Sequence, residues 1–139
     1  MKRNAMLTIA SLLSILFTTL HLADDIIRGM EKGGLSTLVA VPILVVWLYG
    51  TLMLAERRSG YAIILLGSLL GSVVPVIHMM GKGVGVGSNI ANSGGAFFFV
   101  WILLALGVTA LFSVILSVRG LWNPQWGQSR LSSNADSRT

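Results

Sequence analysis

The chain has 139 residues, 54% of them hydrophobic and only 11% charged, with a formal net charge of +5. Soluble domains carry about 25% charged residues, and a small one buries only about two-thirds of the surface its unfolded chain exposes, so a water-soluble globule is excluded and lipid is the expected solvent. There is no cysteine, which removes disulfides, thiolate metal sites and thiol redox chemistry.

Four apolar runs of about 20 residues follow, each long enough to cross a hydrocarbon core of about 30 Å as a helix. None contains Lys, Arg, Asp or Glu. The first, AMLTIASLLSILFTTLHLA (5–23), comes after Lys2 and Arg3. It exceeds the about 7–15 apolar residues of a signal peptide, and a cut after Ala23 would put His21 where a small residue is needed. An uncleaved membrane helix is therefore expected. At 100° per residue, Ser14, Thr18, His21, Asp25 and Arg28 share one stripe, bordered by Ala10 and Ser11. Small and hydroxyl residues mark helix–helix contacts in lipid, so His21 and Asp25 are expected to face the bundle. Asp24 lies off the stripe, four residues before Arg28, the order that favours a structural ion pair on a helix.

The second run (35–55) contains Pro42, expected to free the carbonyl of Leu38 and kink the helix. Trp47 reads as a packing residue. Tyr49 shares a face with Pro42 and is a candidate to line a cavity there. The turn at 56–59 is very short and predicts a tight hairpin into the third run (61–80). That run carries GSLLG, a GxxxG pattern that lets backbones approach closely. Gly60, Gly67, Gly71 and His78 share one face of it, and Pro75 is expected to free the carbonyl of Gly71.

The glycine-rich stretch at 81–95 is not a phosphate loop. Ser88 stands where a dinucleotide fingerprint needs its third glycine, no strand precedes it, and no GK[ST] follows. A connector or re-entrant lid is expected. In the fourth run (96–118), Phe97, Phe98, Phe99 and Trp101 read as an interfacial aromatic belt. Ala105, Thr109, Ser113 and Ser117, spaced by four, read as a packing seam. The organisation expected is an all-α transmembrane domain over 1–121 and a tail over 122–139. Trp122 and Trp126 anchor the tail at the interface, and beyond Gly127 it is too polar to bury a core.

Lys and Arg near the helix ends set orientation. Lys2, Arg3, Arg57, Arg58, Arg119 and Arg130 fall on one side, and Arg28, Lys32 and Lys82 on the other. This predicts an antiparallel four-helix bundle with both termini inside, multi-pass in a cell membrane, most simply a bacterial inner membrane. The basic residues sit at the ends of apolar runs rather than in a cluster with aromatics, so nucleic acid is not an expected partner. Anionic headgroups account for them. The bilayer is the first partner. A second copy, a larger membrane complex, or an apolar small molecule or lipid are the others.

Chemistry gathers at the outer end of the bundle. His21, Asp25 and His78 are expected at similar depth, and intramembrane ionisable residues mark candidate sites. They are candidate ligand-binding residues together with Tyr49. Gly67, Gly71, Pro42 and Pro75 are candidates for helix packing. The bland alternative is that His21 and the aspartates are only a helix surfacing into the interface. A metal centre needs three or four well-placed ligands, so no cofactor, no metal and no catalytic residue are expected. The leading function is a non-enzymatic accessory subunit or small-ligand binder. The alternative is a small membrane enzyme or electron carrier, using haem, a metal or a quinone at His21, Asp25 and His78.

Overall fold

The computed structural model describes residues 2–27, 29, 38–54, 57–80 and 95–122. It is all-helical over those residues, with four helices in the order α1 (Lys2–Ile27), α2 (Ala40–Met53), α3 (Arg58–Met80) and α4 (Ala96–Leu121). Three of them are long and apolar enough to cross a membrane, over Ala5–Ile27, Arg58–His78 and Phe97–Leu121. Helix α1 ends where Gly29 takes a φ of 70° and its N–H donates to the Ile26 carbonyl, a left-handed stop open to glycine.

Over the described part of the second run, helix α2 has 14 residues, about 21 Å at 1.5 Å per residue; residues 35–37 of that run lie outside the described residues. Pro42 lies in the first turn of α2, three residues after Val39, and residues 30–37, where a kink at Leu38 would be read, lie outside the described residues. Pro75 lies inside α3, which runs on without interruption to Met80. Its ring packs on α4, where a Cβ at Gly107 would lie 3.5 Å from Pro75 Cγ. The connections at 30–37 and 81–94, the Asp24–Arg28 pair and the tail beyond Trp122 lie outside the described residues.

The distribution of side chains is inverted relative to a soluble protein. Ser11, Ser14, Ser68, Ser113 and Ser117 are fully buried, while Ile9, Leu66, Val108 and Phe97 are exposed. Lipid tails are as apolar as leucine, so helices associate through small residues that bring backbones close. Ser14 and Thr18 satisfy their hydroxyls on the carbonyls of Ala10 and Ser14, one turn back. The expected seam on α4 is half right. Ser113 and Ser117 are buried, but the rest of the buried face is Phe99, Ile102, Leu103, Leu106 and Ala110.

Helix α2 is keyed to α1 by a directed chain of hydrogen bonds. Trp47 Nε1–H donates to Ser11 Oγ at 2.9 Å, and Thr51 Oγ1 donates to the Trp47 carbonyl at 2.9 Å. The Thr51 hydroxyl proton is thus used, so the 2.7 Å contact between Ser11 Oγ and Thr51 Oγ1 has serine as donor. On its other side Trp47 lies against Gly67 and Gly71 of α3.

The two ends of the bundle differ. Leu7, Tyr61 and Ile64 form a buried cluster with Leu116 and Leu121 against it, so the start of α1, the start of α3 and the end of α4 meet. Exposed Arg57, Arg58 and Arg119 lie in the same stretches of chain. At the other end the last turns of α1 and α3 meet the first turn of α4.

Candidate functional site

That second end is where the ionisable residues converge. His21 and Asp25 are one turn apart on α1, and His78 sits in the last turn of α3. His21 Nε2 lies 3.3 Å from Asp25 Oδ2, and His78 Nε2 lies 3.5 Å from the same oxygen. The two rings are edge-to-face, 4.6 Å between centroids. All three residues are buried, at 5%, 5% and 8% exposure. The i to i+4 spacing puts His21 and Asp25 on one face. That face also carries buried Ala10, Ser11 and Ser14, and their small size lets α1 approach its neighbours.

The wall of the site comes from α4. The Phe99 ring is 5.6 Å from the His21 ring and 5.7 Å from the His78 ring, and Phe99 is 1% exposed. This corrects the aromatic belt. Phe97, Phe98 and Trp101 do point outward, but Phe99 turns inward and covers both imidazoles. Consecutive helical residues are 100° apart, so three phenylalanines in a row point in three different directions around the helix. Which one faces inward is decided by the packing of α4, and composition is silent on it.

Hydrogen bonding orients His78. Its Nδ1 is 2.9 Å from the Val74 carbonyl. A carbonyl only accepts, so Nδ1 carries the proton and Nε2 is aimed at Asp25. His21 is less constrained: Nδ1 is buried and has no hydrogen-bond partner among the described residues. Both Nε2–Oδ2 separations exceed the about 2.7–2.9 Å of a charge-assisted N–H···O bond. The three side chains surround a point without closing on it.

The remaining sequence candidates fall elsewhere. Tyr49 is 56% exposed. It sits between Trp47 and Thr51, both bonded to Ser11, almost three turns before His21 on α1. The structure does not bring it to the cluster. Asp24 is half-buried beside the cluster. Gly67 and Gly71 are buried at the α2–α3 contact. Pro42 is exposed, and Pro75 lies one turn before His78. Sequence reasoning missed the Ser11–Thr51–Trp47 chain, and it missed Gly50 and Gly120, which lie against Ile63 and Tyr61. Their only signal was smallness on a helical face.

Chemically, the arrangement offers two imidazole nitrogens and one carboxylate oxygen from two helices, shielded by an aromatic ring. It can hold a proton, a hydrogen-bonding group or a cation. It does not suit a haem gripped from both faces, which would need the porphyrin plane between the two rings. At 4.6 Å the rings are already in contact. No protein-family model, no curated protein and no solved structure matches the chain.

Proposed function

We propose that this chain is an integral membrane protein built as an antiparallel four-helix bundle, with both termini inside, that binds a small ligand at an outward-facing His21/Asp25/His78 site and carries out no catalysis. One observation carries the reading: two imidazoles from different helices and a carboxylate converge on one oxygen while nine-tenths buried. Burying ionisable groups in lipid is costly, and residues that only mark a helix end have water available and no reason to converge. A closed site of this size suits a small polar ligand held in a fixed geometry.

A second surface supports a lipid partner. Pro42, Ile43, Val46, Trp47, Gly67 and Leu70 line an apolar groove of about 320 Å³ between α2 and α3. An acyl chain matches its chemistry.

The binding reading is tested by native mass spectrometry of protein extracted into lipid nanodiscs. Wild-type protein is expected to retain a species of defined mass that His21→Gln and His78→Gln both lose. Identical spectra for all three would refute it. The orientation has its own test, helped by the cysteine-free sequence. With an impermeant maleimide on intact cells, Lys82→Cys is expected to label and Arg57→Cys only after permeabilisation. The reverse pattern would invert the bundle.

A further inference from the structure

We infer that the ligand of this site is a divalent transition-metal ion of the zinc type, held by His21 Nε2, His78 Nε2 and Asp25 Oδ2. The inference rests on the ligand-binding reading above and gives the ligand a chemical class.

Geometry comes first. The three donor atoms all lie within 4.8 Å of one another, and the two measured edges are 3.3 and 3.5 Å. Ligands at about 2.0–2.1 Å from a tetrahedral zinc ion are about 3.3–3.4 Å apart. These two edges are too long for charge-assisted hydrogen bonds and match two edges of a zinc tetrahedron. An ion at the centre would be drawn from donors already in position.

Orientation is the second and independent observation. Metal-bound histidines commonly donate their other ring N–H to a backbone carbonyl or carboxylate, which fixes the tautomer. His78 does this through Nδ1 to the Val74 carbonyl, so in its neutral form Nε2 presents a lone pair toward Asp25 Oδ2. Two facing lone pairs repel unless a proton or a cation lies between them. His21 Nδ1 has no hydrogen-bond partner among the described residues, so no bond there commits its lone pair away from the site.

Charge and donor type narrow the ion. A divalent cation with one carboxylate keeps a single net positive charge, which a fourth ligand can offset. Imidazole donors favour zinc, copper, nickel or iron, whereas magnesium and calcium take oxygen donors. Three protein ligands leave one position for water or a small anion, the pattern of an open zinc site.

Cobalt(II) is the probe, because it takes zinc sites and its visible spectrum reports coordination number. Tag-free protein is stripped with chelator in detergent and titrated with cobalt(II). The chain has only two histidines, His21 and His78, so imidazole coordination can come from nowhere else. Wild-type protein is expected to bind one equivalent with the intense absorption of a four- or five-coordinate ion, displaced by zinc(II) and unaffected by magnesium(II). Loss of a hydrogen-bond partner to a ligating side chain already lowers metal affinity about 10–100-fold, so removing a ligand in Asp25→Asn, His21→Gln or His78→Gln is expected to cost at least about 100-fold. Asp25→Asn keeps shape and volume. Circular dichroism checks its fold, and Ser72→Ala on the same bundle is the control expected to bind as wild type.

Binding no tighter in wild type than in folded Asp25→Asn overturns the inference. So does a weak six-coordinate spectrum unchanged in the variants. If cobalt shows no site-dependent binding but the nanodisc spectra reveal an organic species lost in the histidine variants, the binding reading stands and the metal assignment fails. If both are negative, both fail.

Discussion

Gly67→Leu is expected to lower the melting temperature in detergent by about 10 °C or more, while Leu66→Ala, one residue away, shifts it by no more than about 2 °C. The difference comes from which way each residue faces. Leu66 is 63% exposed and meets lipid or detergent, so shortening it removes little packing. A Cβ at Gly67 would fall inside the Trp47 indole. Trp47 is 3% exposed and cannot swing aside, because its Nε1–H donates to Ser11 Oγ. Overpacking costs about 1–3 kcal/mol. Stranding the indole N–H, the donor that locks α2 to α1, adds about 1–3 kcal/mol. Gly71→Ala provides a graded comparison. There a Cβ meets Trp47 Cη2 at 3.3 Å and Leu106 Cδ1 at 3.5 Å, tight but tolerable with a small shift, so its effect should fall between the other two. Equal melting temperatures for Gly67→Leu and Leu66→Ala would mean that Gly67 does not face α2.

The second large effect is expected from the ionisable cluster. In a double-mutant cycle on thermal stability, His21→Ala and Asp25→Ala should be non-additive by about 1–3 kcal/mol. The same should hold for His78→Ala and Asp25→Ala. Both imidazoles address one carboxylate oxygen, at 3.3 and 3.5 Å, so whichever partner is removed first changes what the second removal costs. Removing His21 alone should destabilise more than removing His21 and Asp25 together. The single change withdraws a compensating partner from a buried carboxylate, and the double change removes the charge as well. Sums that agree within about 0.5 kcal/mol would mean that the groups act independently. LHLADD would then be only the point where α1 leaves the membrane.

These variants also separate what different parts of the chain encode. On α1 the helical period alone marks the buried face, because a small-and-polar stripe among leucines lets neighbouring helices approach closely. Ala10, Ser11, Ser14, His21 and Asp25 are all buried. The same reasoning placed Gly67 and Gly71 at a helix contact. It failed on α4, where Phe97, Phe98 and Phe99 are alike in composition and differ only in the angle at which the helix presents them. On α2 it was half right: Trp47 is buried at 3%, as a packing residue should be, but Tyr49 is 56% exposed, and no apolar stripe along this helix separates the two.

What the sequence by itself determined is a set of apolar helices long enough to cross a membrane, and the inventory of donors. Apolar runs without charge require helices in lipid, because backbone polar groups there must be satisfied within the segment. The absence of cysteine leaves His21, His78 and the carboxylates as the donors a site can draw on. What only the tertiary structure decided is which of them meet. A helical period fixes the face a residue occupies, but not the axial offset or the rotation of one helix against another. Those are set by contacts between elements far apart in the chain: the Trp47 indole seated on Gly67, the Ser11–Thr51 hydrogen bond, and Pro75 against Gly107. Such contacts slide α3 along α1 until His78 stands level with Asp25, and rotate α4 until Phe99, not its neighbours, closes over them.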